Sequence, residues 1–289
     1  MTIEIGILLA LLCAFTTNVG FLLKHRGACA APDVDFRKPL SSARGLFRSR
    51  WFAIGMLVAA GAFILHVGAL ALAPLSLVQA VISGGLVFLT VLADRVFGYQ
   101  VGSRQWAGVG LTALGLALLA VTLPAGADPN SGYSVAGMIC FEAGLLAVGM
   151  LLVLSPRFGA SAEHHGVLLG AAAGILFGVS DVAIKALTGS VGSEGALGLL
   201  SPWLLTCLLA SVIAFYSSAR GLQTGEAVAV ITVTSAAANV SAITGGIVVF
   251  GDPMPGDALG IFVQSVAFVL VIVAAALTPA PVRAAEARA

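Results

Sequence analysis

The sequence predicts an all-α polytopic membrane protein. About nine transmembrane helices form two inverted repeats, with the N-terminus outside and the C-terminus in the cytoplasm. Composition comes first. Of 289 residues, 59% are hydrophobic and 9% charged, against about 25% charge in a soluble globular domain. Mean hydropathy is +1.07. Long apolar runs come second. They cover 3–23, 51–72, 75–97, 106–123, 134–154, 166–187, 198–219, 227–250 and 258–278. A helix of roughly 18–25 residues crosses a bilayer core of about 30 Å. No period-2 alternation of a membrane barrel is present, so helices must satisfy the backbone.

The third observation is where the charges fall. With the N-terminus outside, the cytoplasmic segments and their helix ends hold Lys24, Arg26, Arg37, Lys38, Arg44, Arg48, Arg50, Arg95, Arg104, Arg157, Arg220, Arg283 and Arg288, 13 of 14 basic residues. Lys185 alone lies at an outer end. The positive-inside rule asks for this bias, and an even number of spans breaks it.

Each element follows in order. Residues 1–123 form the first four-helix repeat, 134–154 a linking helix, 166–278 the second four-helix repeat, and 279–289 a disordered cytoplasmic tail. The first span lacks a basic n-region and reads as retained rather than as a signal peptide. The repeat rests on LLALLCAFTTNVGFLLKHRG from Leu8 and LLGAAAGILFGVSDVAIKALTG from Leu168, each ending near a lysine, Lys24 or Lys185. The third span of each unit follows a tight turn, at Pro74 and near Gly225. One extra span between the units inverts the second. Inverted repeats mark alternating-access transporters, whose site lies near the midplane between the halves.

Small residues predict where helices meet. Gly166, Gly170, Gly174 and Gly178 share one stripe of the sixth span, as Gly6, Ala10, Ala14 and Asn18 do in the first. Such stripes are helix-packing seams in lipid. Ala172 is read as facing away and tolerant of a larger side chain. Gly84-Gly85 and Gly245-Gly246 are read as loosening their helices. The loop 27–50 is read as a topology anchor, with a short interfacial helix against anionic lipid as the alternative.

Ionisable groups inside the membrane are costly and are functional candidates. Glu142 lies about 12 Å into its span on a rise of 1.5 Å per residue. It is read either as a protonation or cation site or as a neutral, hydrogen-bonded acid. Asp181 and Lys185, four residues apart, are expected to pair with each other, with Lys185 also able to snorkel outward. His66 is a titratable candidate. Thr232, Ser235 and Asn239 line one face of the eighth span, and Asn18 and Gln79 extend the polar set from the first and third. Substrate binding or coupling is therefore assigned to Glu142, Asn18, Gln79, Asp181, Thr232, Ser235, Asn239 and His66, with no catalytic residue and no metal site.

Cys13, Cys29, Cys140 and Cys207 form no disulfide framework. No nucleotide-binding loop, metalloprotease motif or nucleophile elbow occurs, so no cofactor is called for and the chain is read as a non-enzyme. No basic patch of useful size for nucleic acid exists outside the 24–50 loop. The partners predicted are a small-molecule or ion substrate, membrane lipids and, in addition, a second copy in a homodimer.

NVGFLLKHRG at 18–27, WFAIGMLVAAGAFILHVGALALAPLSLVQ at 51–79, VGLTALGLALLA at 109–120 and LFGVSDVAIKAL at 176–187 resemble the drug/metabolite transporter superfamily, in its EamA-like and NIPA-like branches. The resemblance covers nearly the whole chain and implies a helical permease of inverted repeats. The nine spans and the APLSLV corner are most similar to the NIPA-like branch, some of whose members are linked to magnesium transport. In that branch the second span carries a glutamate and an asparagine, where this chain has Phe63 and His66. A hard divalent cation prefers oxygen ligands, and one carboxylate is missing here. The mid-span glutamate typical of small multidrug antiporters is also absent from the first span. The function expected is a plasma-membrane permease moving a small metabolite or drug-like solute by alternating access. The alternatives are a divalent-cation (magnesium) transporter or a non-transporting membrane scaffold.

Overall fold

A computed structural model describes residues 2–32, 34–35, 37–85, 103–122, 131–158, 164–225 and 227–277. The second half of the span predicted at 75–97, Arg95 and the tail 279–289 lie outside the described residues. Ten α-helices are described: α1 (Thr2–Cys29), α2 (Pro39–Phe47), α3 (Arg50–Leu72), α4 (Leu75–Gly84), α5 (Ser103–Thr122), α6 (Val135–Val153), α7 (His165–Glu194), α8 (Pro202–Thr224), α9 (Ala227–Val249) and α10 (Ala258–Leu277). No strand occurs among the described residues. Five segments are long and apolar enough to cross a membrane: Thr2–Gly20, Arg50–Leu72, Val135–Val153, His165–Leu200 and Pro202–Thr224. The other apolar helices are shorter within the described residues, at Leu75–Gly84, Trp106–Leu119, Val233–Val249 and Ala258–Ala274.

Local chemistry sets the breaks. Pro74 forces the preceding residue out of the helical region, and Ala73 is extended at φ −145°, ψ 159°. The chain turns there and restarts as α4. Gly225 ends α8 in the same manner, extended at φ −121°, ψ 167°. Ser134 caps α6, its hydroxyl accepting from the Gly137 N–H, and Ser201 caps α8 with Pro202 in the first turn. In the loop after α1, α2 begins at a proline and buries Leu46 against Ala28, Val34 and Phe52.

The helices pack in a connected pattern. α1 lies along α3, α7 touches α6, α8 and α9, α4 bridges α1 and α9, and α5 pairs with α10. The central element is α7, whose apolar window is 67% buried against 17–33% in the other long spans. Its glycine stripe explains how a helix can be so enclosed. A Cβ on Gly174 would lie 2.3 Å from the Thr234 carbonyl, and one on Gly178 2.4 Å from the Ser241 Cβ. On Gly166 it would lie 2.4 Å from the Gly225 Cα. Backbone contact of this kind replaces the hydrophobic drive that lipid does not supply.

One expectation is corrected. Ala172 does not face lipid; it is fully buried, because α7 is surrounded on several sides rather than on one. The glycine pairs are also contact points. A Cβ on Gly85 would meet Ala14, on Gly84 Thr112 and Leu116, on Gly245 Val182, and on Gly246 Asp252.

Candidate functional site

A cavity of about 220 Å³ opens where α1, α3, α4, α7 and α9 converge. On α1 it runs from Cys13 to Lys24, about 16 Å at the helical rise. Polar groups from all five helices reach it. Its wall is otherwise apolar, with Ala59, Ala62 and Phe63 from α3, Ile82 from α4 and Phe177 from α7.

Its charged centre is Asp181, on the buried helix α7. One carboxylate oxygen lies 3.1 Å from Nε2 of His66 on α3. The other accepts a hydrogen bond from Nε2 of Gln79 on α4 at 2.7 Å. The His66 side chain is 12% and that of Asp181 17% exposed, so the pair is largely enclosed yet reachable from the cavity. Behind His66, Nδ1 lies 3.9 Å from the Cys13 Sγ, which is 3.7 Å from the Thr17 hydroxyl. A buried carboxylate is tolerated where polar partners compensate its lost hydration, and here an imidazole and an amide donor come from two neighbouring helices.

A second polar contact closes the opposite wall. Asn239 on α9 donates to the Ser83 hydroxyl on α4 at 3.0 Å. Thr234 donates within its own helix to the Val230 carbonyl at 2.7 Å and lies 3.0 Å from the Gly170 carbonyl, tying α9 to α7. Asn18 lines the cavity and donates to the Ala14 carbonyl of its own helix at 2.8 Å.

The sequence-derived candidates thus divide. Asn18, His66, Gln79, Asp181, Ser235 and Asn239 all line the one cavity. Thr232 lies in α9, but its side chain is outside the described residues. Glu142 is not brought to the cavity. It is 3% exposed, on the face of α6 that carries Met138 and Gly149 toward α7. Neither of its carboxyl oxygens has a hydrogen-bond partner among the described residues.

The expected Asp181–Lys185 pair does not form. Asp181 takes His66 and Gln79, whereas Lys185 is fully buried and donates to the carbonyls of Leu70 at 2.7 Å and Ala73 at 3.0 Å. It does not snorkel. Spacing along one helix predicts partners for a solvated face; inside a bundle, donors and acceptors on other helices win. Sequence reasoning also missed Cys13, Thr17, Lys24, Ser83 and Thr234 as lining. The hydroxyl spacing in α9 was the signal for Thr234; none was available for Cys13. Among the described residues, no group of three or more His, Cys, Asp or Glu side chains is arranged to hold a metal ion.

The chain is 25% identical to the probable magnesium transporter NIPA9 of Arabidopsis thaliana, over 94% of this chain and 81% of that protein. It is 27% identical to an uncharacterised protein of Corynebacterium glutamicum, over 75% of this chain and 76% of that one. No family model matches, and no solved structure matches. With five helices long and apolar enough to span a bilayer, the chain is a multi-pass membrane protein.

Proposed function

We propose that this protein is a transporter that carries a small polar or amphipathic solute through the central cavity by alternating access. The observation that carries the reading is the cavity itself. Five helices contribute a carboxylate, an imidazole, amides and hydroxyls to one cavity with apolar walls. That combination orients a small ligand by a few polar contacts and encloses the rest of it. The transporter named among the similar proteins supports the same class.

Inverted repeats, which alternating access uses, are supported by matched contacts. A Cβ on Gly6 of α1 would lie 2.9 Å from the Cβ of Ala73, the residue at the α3–α4 corner. A Cβ on Gly166 of α7 would lie 2.4 Å from Gly225, the residue at the α8–α9 corner. Two turns on, Gly85 of the first unit meets Ala14, and Gly174 of the second meets Ala237. α1 with α3 and α4 therefore repeats the crossings of α7 with α8 and α9. In this reading α5 and α10, which pack on each other, are the equivalent last spans.

A second reading is that the cargo is magnesium, as the name of the Arabidopsis relative has it for that protein. Asp181 is the one carboxylate among the described cavity residues. Magnesium keeps several waters and is held by one or two carboxylates, so a hydrated ion is compatible with this lining. The deciding experiment is uptake into liposomes holding the purified protein, with radiolabelled organic solutes of either charge and with a magnesium-sensitive dye. Uptake of an organic solute that Asp181→Asn abolishes is the expected result. Magnesium flux with no organic substrate selects the second reading. Neither flux, with protein folded and inserted, overturns both.

A further inference from the structure

The corner between α3 and α4 is held by two charges that the cavity does not use. α3 stops at Leu72 and leaves its last carbonyls without helical partners. The Lys185 ammonium, from one turn beyond Asp181 on α7, accepts that task by donating to the Leu70 and Ala73 carbonyls. α4 begins at Leu75, and its first-turn N–H at Ser76 donates to a carboxylate oxygen of Asp252 at 2.6 Å. Asp252 lies in the turn between α9 and α10, is 3% exposed, and its other carboxylate oxygen has no hydrogen-bond partner among the described residues. Lys185 and Asp252 are within electrostatic reach of one another.

The turn is shaped for this. Gly251 has φ +62°, which reverses the chain after α9. Asp252 donates its own N–H to the Gly246 carbonyl at 2.9 Å. A Cβ on Gly246 would sit 2.3 Å from the Asp252 carboxylate and 2.8 Å from the Ser76 nitrogen, so only glycine admits the carboxylate here. Burial pushes the Asp252 carboxyl up from the ordinary carboxylate range, and the Ser76 N–H and the charge of Lys185 oppose that push.

Two main-chain carbonyls at a broken helix end, with a buried carboxylate in electrostatic reach, are the donor set that takes a monovalent cation in other membrane folds. We propose that the Lys185 ammonium occupies such a monovalent-cation site, supplied by the chain as a tethered side chain instead of drawn from solution. The Leu70 and Ala73 carbonyls are its ligand groups, and Asp252 is the nearby balancing charge. The tether matters because Lys185 and Asp181 stand on one helix. The solute site and the α3–α4 corner are then held by the same rigid rod, and the corner is occupied whatever salt surrounds the protein. The assignment does not depend on which solute the cavity carries.

The test removes the tether and offers free ions. Thermal unfolding of the purified, detergent-solubilised full chain is followed in sodium, potassium or N-methyl-D-glucamine chloride at equal ionic strength. Wild type should show one Tm in all three. Lys185→Ala should unfold several degrees lower in N-methyl-D-glucamine. Its Tm should climb with the logarithm of sodium or potassium concentration, as binding to the folded state alone requires. Adding Asp252→Asn to Lys185→Ala should abolish that climb. If Lys185→Ala is not recovered, Lys185→Met, which keeps the apolar stem, is read in the same way. A Lys185→Ala or Lys185→Met protein with equal Tm in the three salts overturns the site. So does wild type sharing the ion response, or failure of both variants to fold in every salt.

Discussion

Asp181 accepts from Gln79 on one helix and faces His66 on another, so its charge and its shape can be separated by substitution. Asp181→Asn keeps an acceptor for Gln79 and removes the charge. The protein should insert and fold, and uptake should fall at least about tenfold, the factor that roughly 1.4 kcal/mol represents. Wild-type uptake by Asp181→Asn in the liposome assay would remove the pair from the transport path. Glu142 offers the contrast. It is buried against α7 and apart from the cavity, so Glu142→Gln should leave the ion and pH dependence of uptake unchanged. Glu142→Ala, which opens a void, should lower the Tm. Lost ion dependence in Glu142→Gln would instead place coupling in α6. Lys24, beyond the apolar segment Thr2–Gly20, borders the cavity. Burial pulls its ammonium down from 10.5 to about 8. The unfolded chain then binds the extra proton between these values, and stability rises as pH climbs from about 8 toward 10.5. This contribution is lost as pH falls through about 8. A series of Tm values against pH should show the rise in wild type and a flatter line in Lys24→Met.

The crossing of α7 and α9 depends on missing side chains. At Gly174 and Gly178 a Cβ would strike the Thr234 carbonyl and the Ser241 Cβ, and a backbone carbonyl cannot turn aside as a flexible side-chain tip can. Gly174→Leu and Gly178→Leu should each cost at least the roughly 1–3 kcal/mol of overpacking, read as lost folded yield by size-exclusion chromatography. Gly144 on α6 has open space around its Cα, and Gly144→Leu should elute as wild type. The seam was visible in the sequence because the four glycines recur at one helical period. Its partner was not, since nothing in the spacing says which of several apolar helices comes within backbone distance. The same ignorance produced the error at Ala172, where one stripe was taken to define one buried face and the helix is in fact enclosed on several.

For the whole molecule the charges set the orientation expected of the chain. The one-sided basic residues predict an outside N-terminus and a cytoplasmic C-terminus. A reporter fused after Arg288 should be active only in the cytoplasm, and one inserted within 124–133 only outside. Both reporters on one side would contradict the inverted arrangement, and each opposite to this would contradict the orientation read from the charges. Lys185 of α7 and Asp252 after α9 hold the break between α3 and α4.

Composition and the length of the apolar runs determined that this chain lives in a bilayer as helices, because no other fold could hide so much apolar surface or satisfy its backbone there. Periodicity determined the small-residue seam and the Ser235–Asn239 face of the cavity, because residues three or four apart share a helix face whatever surrounds it. His66, Gln79 and Asp181 stood out as polar groups within apolar runs. Tertiary structure alone decided the partners. It gave Asp181 to His66 and Gln79, turned Lys185 onto the end of α3, and left Glu142 outside the cavity. A buried charge goes to whichever donor or acceptor the neighbouring helices bring within about 3 Å, and that proximity is a property of how helices far apart in the chain cross, which no local spacing encodes.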